Sequence, residues 1–375
     1  TQRGSYRLIE LPARVADMKL PKVQIVNLIE ERRKRYQNTG KAGVHLLSIA
    51  LETAIRRTLS DGGQIMLLLN RRGFSTHIQC PSCGHVVRCP DCDIALTHHR
   101  QGEKAVCHYC DFQIRTPTTC PECTFDGIRF AGLGTQRLEA EVRGRFPHAN
   151  VLRMDSDTMQ KPGSHERALE RFRTGEVQIL LGTQMIAKGL DFPNVTLVGV
   201  INADTALHLP DFRAAERTFQ LVTQVAGRTG RGEKGGRVLV QTFTPEHTAI
   251  QAALRHDFTR FADSELPARK EFAYPPWTSM IRIVIRGPSQ SKTEEFAKYL
   301  TQRLHDSVAE QQLEARILGP APAPIEKLRG KFRFHTLLSS SDAAGLRAAA
   351  RQATEDLKPP EGVQWIVDVD PVDML

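Results

Sequence analysis

All eight cysteines lie between Cys80 and Cys123, as four Cys-x-x-Cys pairs: Cys80/Cys83, Cys89/Cys92, Cys107/Cys110 and Cys120/Cys123. Two cysteines at this spacing turn both sulfurs to one side of a tight loop. Two such loops supply the four thiolates of a tetrahedral zinc site, so the set predicts two structural Zn2+ ions. Four pairs can be shared between two sites in three ways. Sequential sharing would join the first two pairs across only the five residues 84–88, which is cramped. Nested sharing puts Cys89, Cys92, Cys107 and Cys110 on an inner metal across fourteen residues, near the zinc-ribbon spacing. Cys80, Cys83, Cys120 and Cys123 then take an outer metal and close the base of the module. Crossed sharing is not excluded by spacing. A disulfide cluster is disfavoured, because the rest of the chain has no secretory features. Four thiolates leave no open coordination position, so the metals brace a projection rather than activate water. Gly84 follows the first pair, but Asp93, Asp111 and Thr124 follow the others, and threonine is the least comfortable of these at positive φ.

A second chemistry is written in Gln224-Val225-Ala226-Gly227-Arg228-Thr229-Gly230-Arg231, which ends a predicted helix. Gln224, Arg228 and Arg231 stand at i, i+4 and i+7 and project from one face. Glycines at 227, 230 and 232 leave the backbone open to close approach. Two guanidinium forks aimed together suit a polyphosphate; a basic helix end with a glycine cap is the plainer account of the same residues. Earlier, Gly182-Thr183-Gln184-Met185-Ile186-Ala187-Lys188-Gly189-Leu190-Asp191 follows an apolar run. Its glycines let backbone amides reach an anion, Thr183 can donate to a phosphate, and Asp191 can hold an arginine or a water.

The elements that must position these groups alternate. Residues 46–59 have helical periodicity and residues 64–69 are a continuous apolar run, as in a buried parallel strand. Helices are predicted at 136–146, 165–173 and 214–226, and strands at 151–154, 177–181, 195–201 and 237–241. This order implies a doubly wound parallel sheet whose working site lies at the strand C-terminal ends. Residues 245–266 read as helical. Before the sheet, residues 6–11 read as a short strand and 23–36 as a helical stretch ending in a basic run, 32–35. After Tyr274-Pro275-Pro276-Trp277 the order strand 280–285, helix 293–308, strand 315–318, strand 332–338, helix 343–356, strand 363–369 is that of a ferredoxin-like βαββαβ sandwich. The domains expected are a leading segment 1–43, an α/β lobe from 44–79 and 124–270, a zinc insertion 80–123, and an α+β domain 271–375. Lys327, Arg329, Lys331 and Arg333 alternate with Leu328, Phe332 and Phe334. The plainer account is a strand with Phe inward and charge in water, and the sharper one is a contact for single-stranded DNA, through Lys331 and Arg333, or for single-strand-binding protein. His98, His99, Arg100, His108 and Arg115 are candidates for a strand-separating or partner-docking surface on the zinc module, and a purely structural role for any one of them is the plainer account.

Composition bounds the rest. A length of 375 residues fits two or three domains, and apolar content of 40% is enough for ordinary cores. Fifty-one Lys plus Arg against 42 Asp plus Glu, a net charge of +9, favours a polyanionic partner. No apolar run approaches the ~18 residues of a membrane span, and the first residues lack a signal-peptide core, so a cytoplasmic protein is expected.

The glycine motif with the arginine helix some thirty residues later resembles motifs V and VI of superfamily 2 helicases. With the four cysteine pairs, Gly132-Leu133-Gly134-Thr135, Met154-Asp155-Ser156-Asp157, Asp211-Phe212-Arg213-Ala214-Ala215-Glu216-Arg217, residues 319–327 and Asp368-Val369-Asp370-Pro371, nearly the whole chain resembles the bacterial primosomal protein N′ family of replication-restart helicases. The resemblance implies a RecA-like second helicase lobe and nested zinc pairing. It implies ATP- and Mg2+-dependent unwinding 3′ to 5′ at stalled or branched forks, and primosome loading. By it Arg228 and Arg231 are arginine fingers, Gln224 helps sense the γ-phosphate, Gly189, Asp191 and Gly227 shape the nucleotide contact, and Thr183 and Gln184 meet DNA. The implied partners are branched and single-stranded DNA, single-strand-binding protein and other primosome proteins, with the chain a monomer. The departure is the absence from this sequence of a G-x-x-x-x-G-K-[ST] loop and an acidic Mg2+ motif. Gly40-Lys41 and Gly330-Lys331 lack the upstream glycine and the following Ser/Thr. The chain is therefore expected to be the C-terminal half of such a helicase and inactive alone as an ATPase. The rival reading is a non-catalytic zinc-ribbon module that docks DNA or protein.

Overall fold

The computed structural model describes residues 7, 9, 21–39, 45–69, 77–80, 82–99, 103–126, 128–130, 135–155, 158–159, 161–183, 186, 192–227 and 236–374. The chain first forms β1 (Lys22–Asn27) and α1 (Leu28–Thr39). Helical periodicity was expected from residue 23, but Lys-Val-Gln-Ile-Val-Asn is β-branched at alternate positions and pairs in parallel with β11 (Arg237–Thr242) along its whole length. The expected strand 6–11 lies almost wholly outside the described residues.

Next come α2 (Ile49–Ser60), whose N-terminus is capped by Ser48 Oγ accepting from the Leu51 amide at 3.0 Å, and β2 (Gln64–Leu68). The Cys-rich insertion follows: β3 (Ile78–Gln79), β4 (Thr97–His99), β5 (Lys104–Val106), β6 (Gln113–Arg115) and β7 (Arg129–Phe130). β3 and β7 pair antiparallel as its stem, and β4, β5 and β6 form a small sheet. The α/β alternation resumes with α3 (Thr135–Arg145), β8 (Val151–Met154), α4 (Ser164–Arg173), β9 (Ile179–Gly182), β10 (Val195–Val200), α5 (Asp204–Leu207), α6 (Ala214–Ala226) and β11. The expected single helix over 245–266 is two, α7 (Thr248–Leu254) and α8 (Phe258–Glu271), broken where His256 takes φ 53°.

The strands make one sheet, ordered β1-β11-β10-β2-β9-β8, with every pairing parallel. β2 is buried throughout, and its side chains alternate between two cores. Met66 and Leu68 face α4, α6 and α7, whereas Ile65 and Leu67 face α2 and α3. Burial on both faces explains why this strand reads as a continuous apolar run. The insertion leaves the sheet at the C-terminal end of β2.

The last unit is β12 (Ser279–Gly287), α9 (Gln290–Glu310), β13 (Arg316–Leu328), β14 (Lys331–Ser340), α10 (Ala343–Thr354) and β15 (Gln364–Val369). Its antiparallel sheet runs β13-β14-β12-β15, the ferredoxin-like order. Ile281, Ile283 and Ile285 of β12 turn to α9 and α10, leaving Arg282, Val284 and Arg286 on the other face. No helix among the described residues is long and apolar enough to cross a membrane.

Candidate functional site

The four Cys-x-x-Cys loops share one backbone solution. In each, the residue after the second cysteine donates its amide to the first cysteine's carbonyl: Gly84 to Cys80, Asp93 to Cys89, Asp111 to Cys107 and Thr124 to Cys120, at 3.0–3.1 Å. In each, the first cysteine's own amide donates to the carbonyl one residue further on. All four turn residues have positive φ: 81°, 49°, 62° and 55°. Asp93, Asp111 and Thr124 hold a conformation that favours glycine, and the shared requirement is a turn that aims two sulfurs the same way.

Among the described residues, two groups bring four sulfurs within 4.8 Å: Cys80, Cys83, Cys120 and Cys123, and Cys89, Cys92, Cys107 and Cys110. This is nested pairing, and the sequential and crossed alternatives fall. The Sγ–Sγ separations are 3.7 Å for Cys80–Cys123 and Cys83–Cys120 and 3.6 Å for Cys89–Cys110. A tetrahedron with Zn–S bonds of about 2.3 Å has edges of about 3.8 Å, so both sulfur sets fit zinc. Four thiolates held this close in a largely buried cluster repel one another. Gathering four thiolates there requires a cation, which couples the fold to metal binding. Cys89→Ala is expected to lower bound zinc from two equivalents per chain to one, measured by metal analysis, because the outer four sulfurs share no ligand with the inner four.

The module is seated, not free. Tyr109, fully buried, accepts the Phe212 amide on its hydroxyl at 3.1 Å, and Tyr274 Oη donates to the Cys92 carbonyl at 3.0 Å. The His108 ring donates from Nδ1 to the Pro322 carbonyl at 2.7 Å, and His335 Nε2 donates to the His108 carbonyl. His99 pairs with Glu326 at 3.2 Å, and His98 hydrogen-bonds Thr116. Of the two accounts of these side chains the structural one holds for the histidines, and the docking-surface account is corrected: His98 and His108 are buried, and His99 is turned onto Glu326. Burial pushes the His108 imidazole down to about 4, keeping it the neutral donor that this geometry needs. Arg115 is exposed, and Arg100 lies outside the described residues. At the module's root, burial and the neighbouring His208 ring, 5.3 Å away, push His77 down to about 3.

The described residues of the two glycine-containing segments stand toward two edges of the parallel sheet. At the C-terminal edge, Thr183 directly follows β9 and is half-buried. Thr135 donates its hydroxyl to Asp155 at 2.7 Å; burial opposes ionisation there, but this bond, the Thr158 amide and Arg153 hold the Asp155 carboxyl below its usual range. Asp204 accepts the Phe243 amide at 2.9 Å and the Thr244 hydroxyl at 2.7 Å. Against the penalty of burial, these bonds and His208 hold the Asp204 carboxyl at about 2. α6 then runs back along the sheet, about 18 Å over its length at 1.5 Å per residue. Beyond it the chain reaches Gly236 and Arg237, which lie beside Gly63 and Thr196 at the N-terminal strand ends. Gln224 is exposed near the far end of α6, and Gly227 is its C-cap. Thr183 lies at the strand C-terminal ends, where the alternation of elements placed it, and Gln224 is held away from it at the far end of α6. Gln184, Gly189, Asp191, Arg228 and Arg231 lie outside the described residues. Asp211, Arg213, Glu216 and Arg217 are internal braces, with Arg217–Asp211 at 3.0 Å and Arg213–Glu216 at 2.6 Å.

The open face of the C-terminal sheet carries a groove of about 610 Å³ with Arg282, Arg286, Arg329, Lys331 and Arg333 against Asp368 and Asp373. Arg286 lies directly opposite Arg333 across the β12–β14 ladder. Like charges so placed repel each other; Arg286 donates to the Gln364 side chain at 3.2 Å and Arg333 to the Ile325 carbonyl at 3.3 Å. Burial lowers the Arg333 pKa, and Arg286 lowers it further. Lys331 and Arg333 both line this groove. Arg282 and Arg286 were not foreseen; the readable signal was arginine at alternate positions of an isoleucine-rich strand.

A parallel six-stranded sheet with helices on both faces is the α/β fold of RecA-like lobes, and here it carries an insertion of two four-cysteine clusters after β2. Residues 133–233 match the helicase conserved C-terminal domain, 89–115 the PriA DNA helicase Cys-rich region domain, and 270–372 the primosomal protein N C-terminal domain. The chain is 42% identical over 357 residues to the replication restart protein PriA of Bacillus subtilis, covering 95% of this chain and 43% of that protein. It is 39% identical over 373 residues to that of Treponema pallidum, covering 100% and 54%. Against the Haemophilus influenzae protein the identity is 35% over 375 residues, covering 100% and 50%. The chain belongs to the primosomal protein N′ (PriA) family, matching its C-terminal portion, and spans about half the length of the curated relatives it matches.

Proposed function

We propose that this chain is the second motor lobe of an ATP-dependent 3′-to-5′ DNA helicase that acts at stalled or branched forks and starts primosome assembly. In this reading Arg228 and Arg231, with Gln224 and the open backbone at Gly227, meet the triphosphate that a first lobe holds with Mg2+. Gly189 and Asp191 shape the same contact, and Thr183 and Gln184 meet the DNA backbone. The observation that carries the reading is the two-edged layout: the end of α6 and the end of β9 lie on opposite edges of one rigid sheet. Such a lobe can touch nucleotide on one edge and DNA on the other, which a motor needs in order to convert one contact into movement of the other. Single-strand-binding protein and other primosome proteins are proposed partners, and the working form is a cytoplasmic monomer.

The basic groove is read as a contact for single-stranded DNA. Five cations stand against two carboxylates, and a phosphate chain would relieve the Arg286–Arg333 repulsion. Leu328 and Ile366, both exposed in the groove, offer an apolar surface to bases. Binding of dT12 by the chain is expected to weaken with salt. Lys331→Glu with Arg333→Glu should reduce affinity at least about tenfold and lower the log–log salt slope by about 0.7 for each phosphate left without its cation. Fluorescence anisotropy at several salt concentrations measures both, and an unchanged slope would remove these two residues from the DNA contact.

A further inference from the structure

The segment that follows β15 touches three units within five residues. The Asp370 amide donates to the Met280 carbonyl at 2.8 Å. The Val372 carbonyl accepts from Arg213 and Arg217, and the Asp373 carboxylate lies 3.2 Å from the Arg217 guanidinium. The Met374 amide donates to Asp211 at 3.3 Å. The Met374 side chain is fully buried, in one cluster with Tyr109 of the zinc module, Phe212 of the motor lobe, and Met280 and Leu337 of the C-terminal sheet. Arg217 belongs to α6, seven residues before Gln224 and so on the same helical face.

The same segment forms part of the groove wall. Arg282 donates to the Asp373 carbonyl at 2.8 Å, and both residues line the basic groove. Asp373 therefore joins a cation of the groove, through its carbonyl, to a cation of α6, through its carboxylate. Burial and the nearby Arg333 lower the Arg282 pKa, so Arg282 gains by drawing an anion closer.

We propose that residues 370–374 are a strap that positions α6 against the C-terminal sheet, and that Asp373 relays occupancy of the groove to α6. An anionic chain in the groove repels the Asp373 carboxylate and competes for Arg282. Both effects slacken the strap at Arg217, and α6 is the helix that carries Gln224 toward the arginine loop. The relay rests on the reading of the groove as a DNA contact; the strap itself does not. Asp373 and Arg217 are positioning residues, acting through the placement of α6.

Amide hydrogen exchange on the full 375-residue chain separates the parts. Without DNA, ending the chain at Pro371 is expected to speed exchange over the first two turns of α6 at least about tenfold, and Asp373→Asn by roughly threefold, with Asp373→Glu restoring the slow rate. Exchange in α9 and α10 should stay unchanged, which distinguishes a slackened strap from general unfolding. Unaltered α6 exchange in Asp373→Asn and in the shortened chain overturns the strap. With saturating dT12, α6 exchange should rise in the intact chain and show no further rise in Asp373→Asn. If dT12 binds and α6 in the intact chain does not respond, the relay is overturned. If dT12 does not bind, the groove reading and the relay fall together, while the DNA-free comparison still decides the strap.

Discussion

Stripping both metals from this chain with a chelator is expected to unfold residues 77–130 as a unit and to open the junction of all three domains. Among its described residues no strand of the insertion exceeds three residues, so hydrogen-bonded ladders alone cannot hold it. Its core is built around the sulfurs: Cys80, Cys89, Cys92, Cys107 and Cys120 sit in one buried cluster with Tyr109, Leu96 and Ile78. Structural zinc typically contributes on the order of 10 kcal/mol or more per ion, far more than a few short strands supply. That cluster also contains Phe212, Tyr274, Met280 and Leu337, so the loss spreads beyond the insertion. Hydrogen exchange before and after chelation checks this. Protection across 77–130 should fall at least about a thousandfold, with a smaller loss around Phe212 and Tyr274, while α2 and β2 keep theirs. Retained protection in a metal-free chain would show that the sulfurs are packing groups only.

The second large effect concerns Arg228. When this chain is joined to a first lobe that carries a phosphate loop, Arg228→Ala is expected to lower DNA-stimulated kcat by roughly a thousandfold or more, the usual consequence of removing an arginine finger. The change should fall on kcat rather than on KM for ATP, since a finger acts where charge develops during transfer. The zinc content should remain two, because the arginine loop and the cysteine loops belong to different elements.

Much of this architecture was legible. α6 spans the residues its periodicity marked, because Thr218, Phe219, Val222, Val225 and Ala226 repeat at helical spacing against one core. The cysteine loops were legible because metal ligation fixes spacing more tightly than packing does. Two misreadings have physical causes. β1 is an edge strand with alternate residues in solvent, so its short apolar pattern merged with that of the helix after it. β13 continues to Leu328, well past the expected residue 318, although Pro320, Pro322 and Pro324 interrupt it. As the outermost strand of its sheet it has a free side on which proline needs no ladder donor, and its register shifts there twice. A structural role for His98, His99 and His108 was one of the two readings, but the partners of His99 and His108 could not be read, because Glu326, Pro322 and His335 lie some two hundred residues away.

The account stands on a nucleotide site divided between this lobe and another. Its most direct test is ATP hydrolysis, with saturating single-stranded DNA, by the purified 375-residue chain and by the same chain joined to its first lobe. No turnover above background from the first, and turnover lost on Arg228→Ala in the second, is the expected result. DNA-stimulated hydrolysis by the chain alone, persisting in Arg228→Ala, would contradict it.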